Sequence, residues 1–181
     1  MLRISAIAFL LSFMALHTCY AQLFSYKKAN VVNFSQSDYK AANQNWSIAV
    51  APDGMVYFGN NNGLLAYDGI KWELSRIPEI NLVRSVAMDN DSIIFVGGFE
   101  EFGFVVLSKG NLIRYESLST DIPHDIIHNQ EIWRIFLNKG KVYFQSFGII
   151  FVWDGKNAIS KILPPNNSSF VLLNKVADRL F

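Results

Sequence analysis

The stretch YFGNNNGLLAYDGIKW, residues 57–72, sets two turn signals, Asn62-Gly63 and Asp68-Gly69, inside one short apolar run. Glycine has no Cβ to clash at positive φ, so these dipeptides are natural connections for two-residue β-hairpins. Upstream, WSIAVA (46–51) leads into Pro52-Asp53-Gly54, and MVYFG (55–59) follows. Downstream, IKWELSRI (70–77) completes the set. Four short strands joined by tight turns predict an antiparallel meander. Helix is disfavoured, because no uninterrupted window is long enough to hold a 3.6-residue apolar period.

The same pattern returns from Val83 and again from Ile132. Matching the second strands puts Tyr57, Phe95 and Tyr143 in register, 38 and 48 residues apart. Trp46, Arg84 and Ile132 each precede the register residue by 11. The glycine after the second strand becomes Gly63, Gly103 and Gly148, and the third turn becomes Asp68-Gly69, Lys109-Gly110 and Asp154-Gly155. Four strands per repeat of about 40 to 50 residues is the signature of β-propeller blades. Runs such as SIIFVG and GIIFVW are apolar on successive residues, which implies sheets covered on both faces.

The expected organisation is therefore all-β, with residues 45–181 as an incomplete propeller. Its blades fall at about 45–78, 83–118 and 132–163, and a fourth begins near 170 with a turn at Ala177-Asp178 and Phe181 in register with Tyr143. Three blades and a stub are fewer than a closed ring needs, so the sequence reads as a fragment. Residues 1–21 read as a signal peptide: Arg3 precedes an apolar run from Ile4 to Leu16 and a small-residue exit at Ala21. Acylation at Cys19 and an uncleaved anchor stand behind cleavage as alternatives. Residues 22–44 form a lead-in.

Cleavage removes the only cysteine, so the mature chain has no disulfide or thiolate chemistry. It also removes Arg3, leaving 15 Lys+Arg against 15 Asp+Glu. A neutral chain without a basic stripe argues against nucleic acid as a partner.

Candidate chemistry is sparse. In PHDIIHNQE, His124 and His128 are four apart, with Asp125 and Glu131 nearby. On a helix the two imidazoles would share a face and could reach one zinc ion, but the pair follows Pro123 between two blades and reads as a loop. Such a loop lies on a propeller face, where the histidines could touch a ligand without a metal. DNDS (89–92) lacks the glycine and distal glutamate of a calcium loop and reads as a turn. In GGFEEFGF, Glu100 and Glu101 are adjacent, so on a strand they would point to opposite faces. The hairpin around them is longer than that of the first repeat, and Phe99 and Phe102 within it could stack against a sugar or peptide. The candidate ligand-binding set is thus Phe99, Glu100, Glu101, Phe102, His124 and His128. No catalytic residue, cofactor or resident metal is called for, and the other aromatic residues are assigned to the core.

NWSIAVAPDGMVYFGNNNGLLAYDGIKW resembles the first blade of the two-component regulator propellers. VRSVAMDNDSIIFVGGFEEFGFV and EIWRIFLNKGKVYFQSFGIIFVWDG are similar to the triple-tyrosine-motif regulators of Gram-negative bacteria. That resemblance implies a secreted sensor propeller followed by a triple-tyrosine domain, a membrane helix and a cytoplasmic output module, which is a DNA-binding domain or a histidine kinase. The reading adopted on that basis is a periplasmic, non-catalytic domain that senses a glycan or another small ligand. Membrane attachment would come only through a downstream helix, and a homodimeric parent is compatible with it. The rival readings are a fragment of a secreted polysaccharide lyase or glycosidase and a secreted adhesion or scaffold propeller.

Overall fold

Asn60 and Gly63 form the last pair of the first central hairpin, so the two-residue turn is Asn61–Asn62, one residue earlier than the Asn-Gly signal suggests. Gly63 opens the next strand at φ 131°, and a Cβ there would lie 2.4 Å from the Ser75 carbonyl oxygen. The aspartate turns depend on the acid as much as on the glycine. Asp68 Oδ1 accepts from the Ile70 and Lys71 N–H groups at 2.7 and 2.6 Å. Asp154 Oδ1 does the same for Lys156 and Ala158 at 2.9 and 3.1 Å.

The computed structural model describes residues 31–90, 92–108, 111–166, 168–171, 174–176 and 179–180. The expected signal peptide, the Lys109-Gly110 turn, the Ala177-Asp178 turn and Phe181 lie outside them. Phe34–Phe181 is a unit distinct from Met1–Asn33. It holds three four-stranded antiparallel sheets, each with its strands in sequence order. The first is β1 Asn45–Val50, β2 Val56–Asn60, β3 Gly63–Tyr67 and β4 Trp72–Ser75. The second is β5 Ser85–Asn90, β6 Ile93–Gly97, β7 Phe102–Ser108 and β8 Asn111–Ser117. The third is β9 Arg134–Asn138, β10 Lys141–Gln145, β11 Ile150–Trp153 and β12 Ile159–Ile162. A short hairpin, β13 Lys175–Val176 with β14 Arg179–Leu180, follows. Single helical turns at Gln36–Tyr39 (α1) and His124–Ile127 (α2) stand outside the sheets.

The sheets stack face to face. Tyr57, Leu64 and Ala66 of the first meet Val86, Ile94, Val96, Val105 and Leu107 of the second in one apolar layer. Phe95 and Phe102 of the second meet Ile135, Val142, Phe144 and Phe151 of the third in the next. Strand β6 serves both layers, sending Ile94 and Val96 one way and Phe95 the other. That is why its sequence is apolar at every position. The first strands β1, β5 and β9 neighbour one another at the converging edge, as innermost strands of propeller blades do. The buried amide of Asn60 ties the lead-in to the first blade. It donates to the Ala42 carbonyl at 2.7 Å and to Asn45 Oδ1 at 2.7 Å, and its oxygen accepts from the Ala42 and Asn62 N–H groups.

The third blade departs from the expected register by one residue. Its first hairpin is one residue shorter than those of the other two blades: Tyr143 pairs with Phe136, where Tyr57 pairs with Ala49 and Phe95 with Ala87. In consequence Trp133, not Ile132, is the counterpart of Arg84. Arg84 N–H donates to the Gly97 carbonyl at 2.8 Å, and Trp133 N–H donates to the Gln145 carbonyl at 2.9 Å. Ile132 is fully buried and fills the space that a side chain at Gly97 would need.

Candidate functional site

The strand order places one set of features on a single face: the N-terminal ends of β1, β5 and β9, the central hairpin turns, and the connections between blades. Trp46 lies in the irregularity between Asn45 and Ser47, without a partner on β2. A bulge of this kind re-aims a side chain out of the pleat. Its indole N–H donates to Asn61 Oδ1 at 2.6 Å. Arg84 and Trp133 occupy the position just before β5 and β9. Together they build a stack across three blades, with the Arg84 guanidinium carbon 3.7 Å from the Trp46 ring centre and 4.9 Å from that of Trp133. Both distances lie within cation–π range. Glu131 binds Arg84 Nε and neutralises its charge. Among the described residues, Ser47 Oγ, Trp72 Nε1, Arg84 Nη1 and Trp133 Nε1 are buried without a hydrogen-bond partner, and the last two belong to this stack. Buried donors in a native site call for a partner, and these two belong to a cluster whose Trp46 is 37% exposed.

Two exposed phenylalanines flank this cluster. Phe99 and Phe147 are the second residues of matching four-residue turns, 98–101 and 146–149. The Phe147 ring packs at 5.6 Å from that of Trp133. Phe99 pairs through its backbone with Glu131, the carboxylate that holds Arg84. The sequence reading of Phe99 as an exposed loop aromatic therefore agrees with its place. Its companion is Phe147, an exposed turn residue and not the core aromatic that the sequence suggests. Phe102 is corrected: it is fully buried, with its ring 4.4 Å from Phe144 and 5.1 Å from Phe151. It holds blades two and three together and offers a ligand nothing.

The two glutamates point opposite ways, although both lie in the 98–101 turn and not on a strand. Glu101 turns inward, accepting from Tyr115 Oη and Ser117 Oγ at 2.6 Å each. Burial pushes the Tyr115 phenol pKa far up, and the Glu101 carboxylate adds to that. Glu101 is thus a structural acid of the second blade. Glu100 turns outward at φ 56°, in the left-handed region that glutamate rarely enters. Its Oε1 accepts from the Asn129 N–H at 2.7 Å and lies 2.9 Å from His128 Nδ1. The Asn129 hydrogen bond lowers the Glu100 pKa, and the nearby His128 charge acts in the same direction. His124 and His128 stack with ring centres 4.9 Å apart. Their segment is one turn of helix, α2, where a loop was expected, because Pro123 caps it and buried Ile127 anchors it. The acids first associated with the histidines fall elsewhere. Glu131 serves Arg84, and Asp125 is exposed on the surface. The third member is Glu100, brought in from the neighbouring hairpin.

A cleft of about 700 Å³ shares no lining residue with the aromatic stack. It runs between Leu118, Ile122 and Ile126 of the crossover and Trp153 and Ile159 of the third blade. Asp121, Lys156, Asn157 and Lys161 line its polar side, and the cleft is a seam between the crossover and the third blade. No helix among the described residues is long and apolar enough to cross a membrane.

Neither a family model nor a curated protein matches the chain. Solved structures do. The extracellular domain of BT4673 from B. thetaiotaomicron, a suggested one-component system, superposes with a TM-score of 0.61 at 13% identity, over 83% of this chain and 20% of that one. Virginiamycin B lyase from Staphylococcus aureus matches with a TM-score of 0.54 at 16% identity, over 70% of this chain and 44% of that one. The WD40 β-propeller domain of Doa1 gives 0.53 at 16%, over 76% and 46%. What these share with the chain is fold. The fold is a β-propeller. The chain spans about a fifth of the length of the BT4673 domain and under half of the other two.

Proposed function

We propose that this chain is the ligand-sensing propeller of a membrane-anchored signalling regulator and works without catalysis in the periplasm. The observation that carries the reading is the Trp46–Arg84–Trp133 stack, assembled from one residue of each blade on the face that the turns surround. Flat indole faces suit the apolar C–H side of a sugar ring, and the part-exposed Trp46 with the exposed Phe99 and Phe147 beside it offers such faces to solvent. The ligand class is accordingly a glycan fragment. Because three blades supply the contacts, a ligand bound there would favour one arrangement of blades, and only such differential affinity can drive a signal. The likeness to the BT4673 extracellular domain supports the same direction.

The test is calorimetric titration of the full chain with a panel of neutral and uronic-acid oligosaccharides, with chromatography of the mixture afterwards. Binding by at least one member, weakened at least about tenfold by Trp133→Ala and leaving the sugar intact, is the expected result. Cleaved or unsaturated products would instead make the chain part of a polysaccharide-degrading enzyme.

A further inference from the structure

Glu100, His124 and His128 present one carboxylate oxygen and two imidazole nitrogens that all lie within 4.8 Å of one another. Three chain features hold them there. Turn 98–101 carries Glu100 at φ 56°, which swings its carboxylate toward the crossover. The helical turn α2 sets the histidines four apart, so that both project from one side. Asn129, itself at φ 59°, donates its N–H to Glu100 Oε1 and fixes that oxygen beside His128.

We infer that Glu100, His124 and His128 form a binding site for a divalent transition-metal ion, with zinc the best-suited occupant. Two imidazoles and a carboxylate are one of the recurrent three-ligand sets for zinc, which takes nitrogen at about 2.0 Å and oxygen at about 2.1 Å in a tetrahedral array. Donor atoms around such an ion stand about 3.3 Å apart. The Glu100 Oε1 to His128 Nδ1 separation, 2.9 Å, is already close to that spacing. The remaining adjustment falls on His124, an exposed side chain that turns out of its stack on His128 to reach the ion. The Asn129 N–H supplies the outer hydrogen bond that orients a ligating carboxylate. Three protein ligands on an open face leave a fourth position for water or an incoming group. A bound ion would clamp the second blade's central turn to the crossover into the third blade. The inference does not depend on the sensing role.

Zinc chloride titrated into the EDTA-treated full chain near neutral pH, followed by calorimetry, tests it. One ion per chain is expected, with affinity reduced about tenfold or more in His124→Ala, in His128→Ala and in Glu100→Gln. The third histidine of the chain, His17, and Cys19 are possible competitors, so a His17→Ala/Cys19→Ser variant must bind as the parent does. No uptake, binding indifferent to Glu100→Gln, or binding lost only in the His17/Cys19 variant would overturn the site. Should a variant fail to fold, ring ¹⁵N resonances of the parent decide. Zinc is expected to shift those of both His124 and His128, and unshifted resonances refute the inference.

Discussion

The guanidinium carbon of Arg84 lies 3.7 Å from the ring centre of Trp46, although Trp46 belongs to the first sheet and Arg84 immediately precedes the first strand of the second. The contact depends on the bulge that expels Trp46 from β1 and on Glu131, which holds the arginine from the other side. A double-mutant cycle with Trp46→Leu and Arg84→Met is expected to give a coupling of about 1 kcal/mol in urea unfolding. Strictly additive losses would mean that the stack contributes nothing to holding the blades.

Asn60 satisfies five polar groups from one buried side chain, among them the Ala42 N–H and carbonyl. Asn60→Ala removes these bonds, the Gln44 carbonyl alone keeping a second donor in the Asn61 N–H, and is expected to cost about 2–3 kcal/mol, read from the denaturant midpoint. The loss will be accompanied by faster amide exchange at Ala42 and Asn62, whose N–H groups lose their acceptor.

Phe99 and Phe102 sit three residues apart and have opposite roles. Phe102→Ala opens a cavity between the second and third blades and is expected to cost about 3–5 kcal/mol. Phe99→Ala, at a position 53% exposed, is expected to change stability by less than about 0.5 kcal/mol. Thermal melts of the two variants side by side will separate them.

That pair also marks how far the sequence could be read. The blades were legible because strand length, turn residues and doubly apolar runs are local properties, and the 38-residue step from Tyr57 to Phe95 is real: both rings face the next sheet. The one-residue slip at Trp133 was not legible, because it arises from the shorter first hairpin of the third blade, closed at Lys139–Gly140, and its effect on register shows only once the strands pair. The binding face was only half legible. Trp46 and Arg84 were visible as equivalent repeat positions, but nothing in one dimension says that their side chains meet across a blade boundary. Phe102 looked like a loop residue because the turn was placed too late. The Glu100–histidine cluster joins positions 24 to 28 residues apart and emerges only once the crossover packs against the hairpin.

Acid and alkali will act on different groups. Backbone N–H donors hold Asp68 and Asp154 below the ordinary aspartate pKa of 3.8. Groups with a depressed folded pKa contribute stability above their unfolded pKa and lose it as pH falls through the folded one. The melting temperature is thus expected to drop below about pH 4. The drop will be shallower in an Asp68→Asn/Asp154→Asn variant, which starts lower at neutral pH. Tyr115 behaves oppositely. Its raised pKa means that its contribution is complete below the unfolded tyrosine value of about 10 and declines as pH rises above it. Tyr115→Phe will remove that alkaline loss, as melts between pH 8 and 11 would record.

The four tryptophans, Trp46, Trp72, Trp133 and Trp153, each give one indole N–H resonance, and only two of them lie in the proposed binding face. Titrating the full chain with the oligosaccharide found by calorimetry, and following these four signals, tests the central claim most directly. The account predicts saturable shifts for Trp46 and Trp133, with Trp72 packed against Phe34 and Tyr67, and Trp153 bonded to the Lys156 carbonyl, left in place. Shifts confined to Trp72 or Trp153, with Trp46 and Trp133 unmoved at saturation, would contradict it.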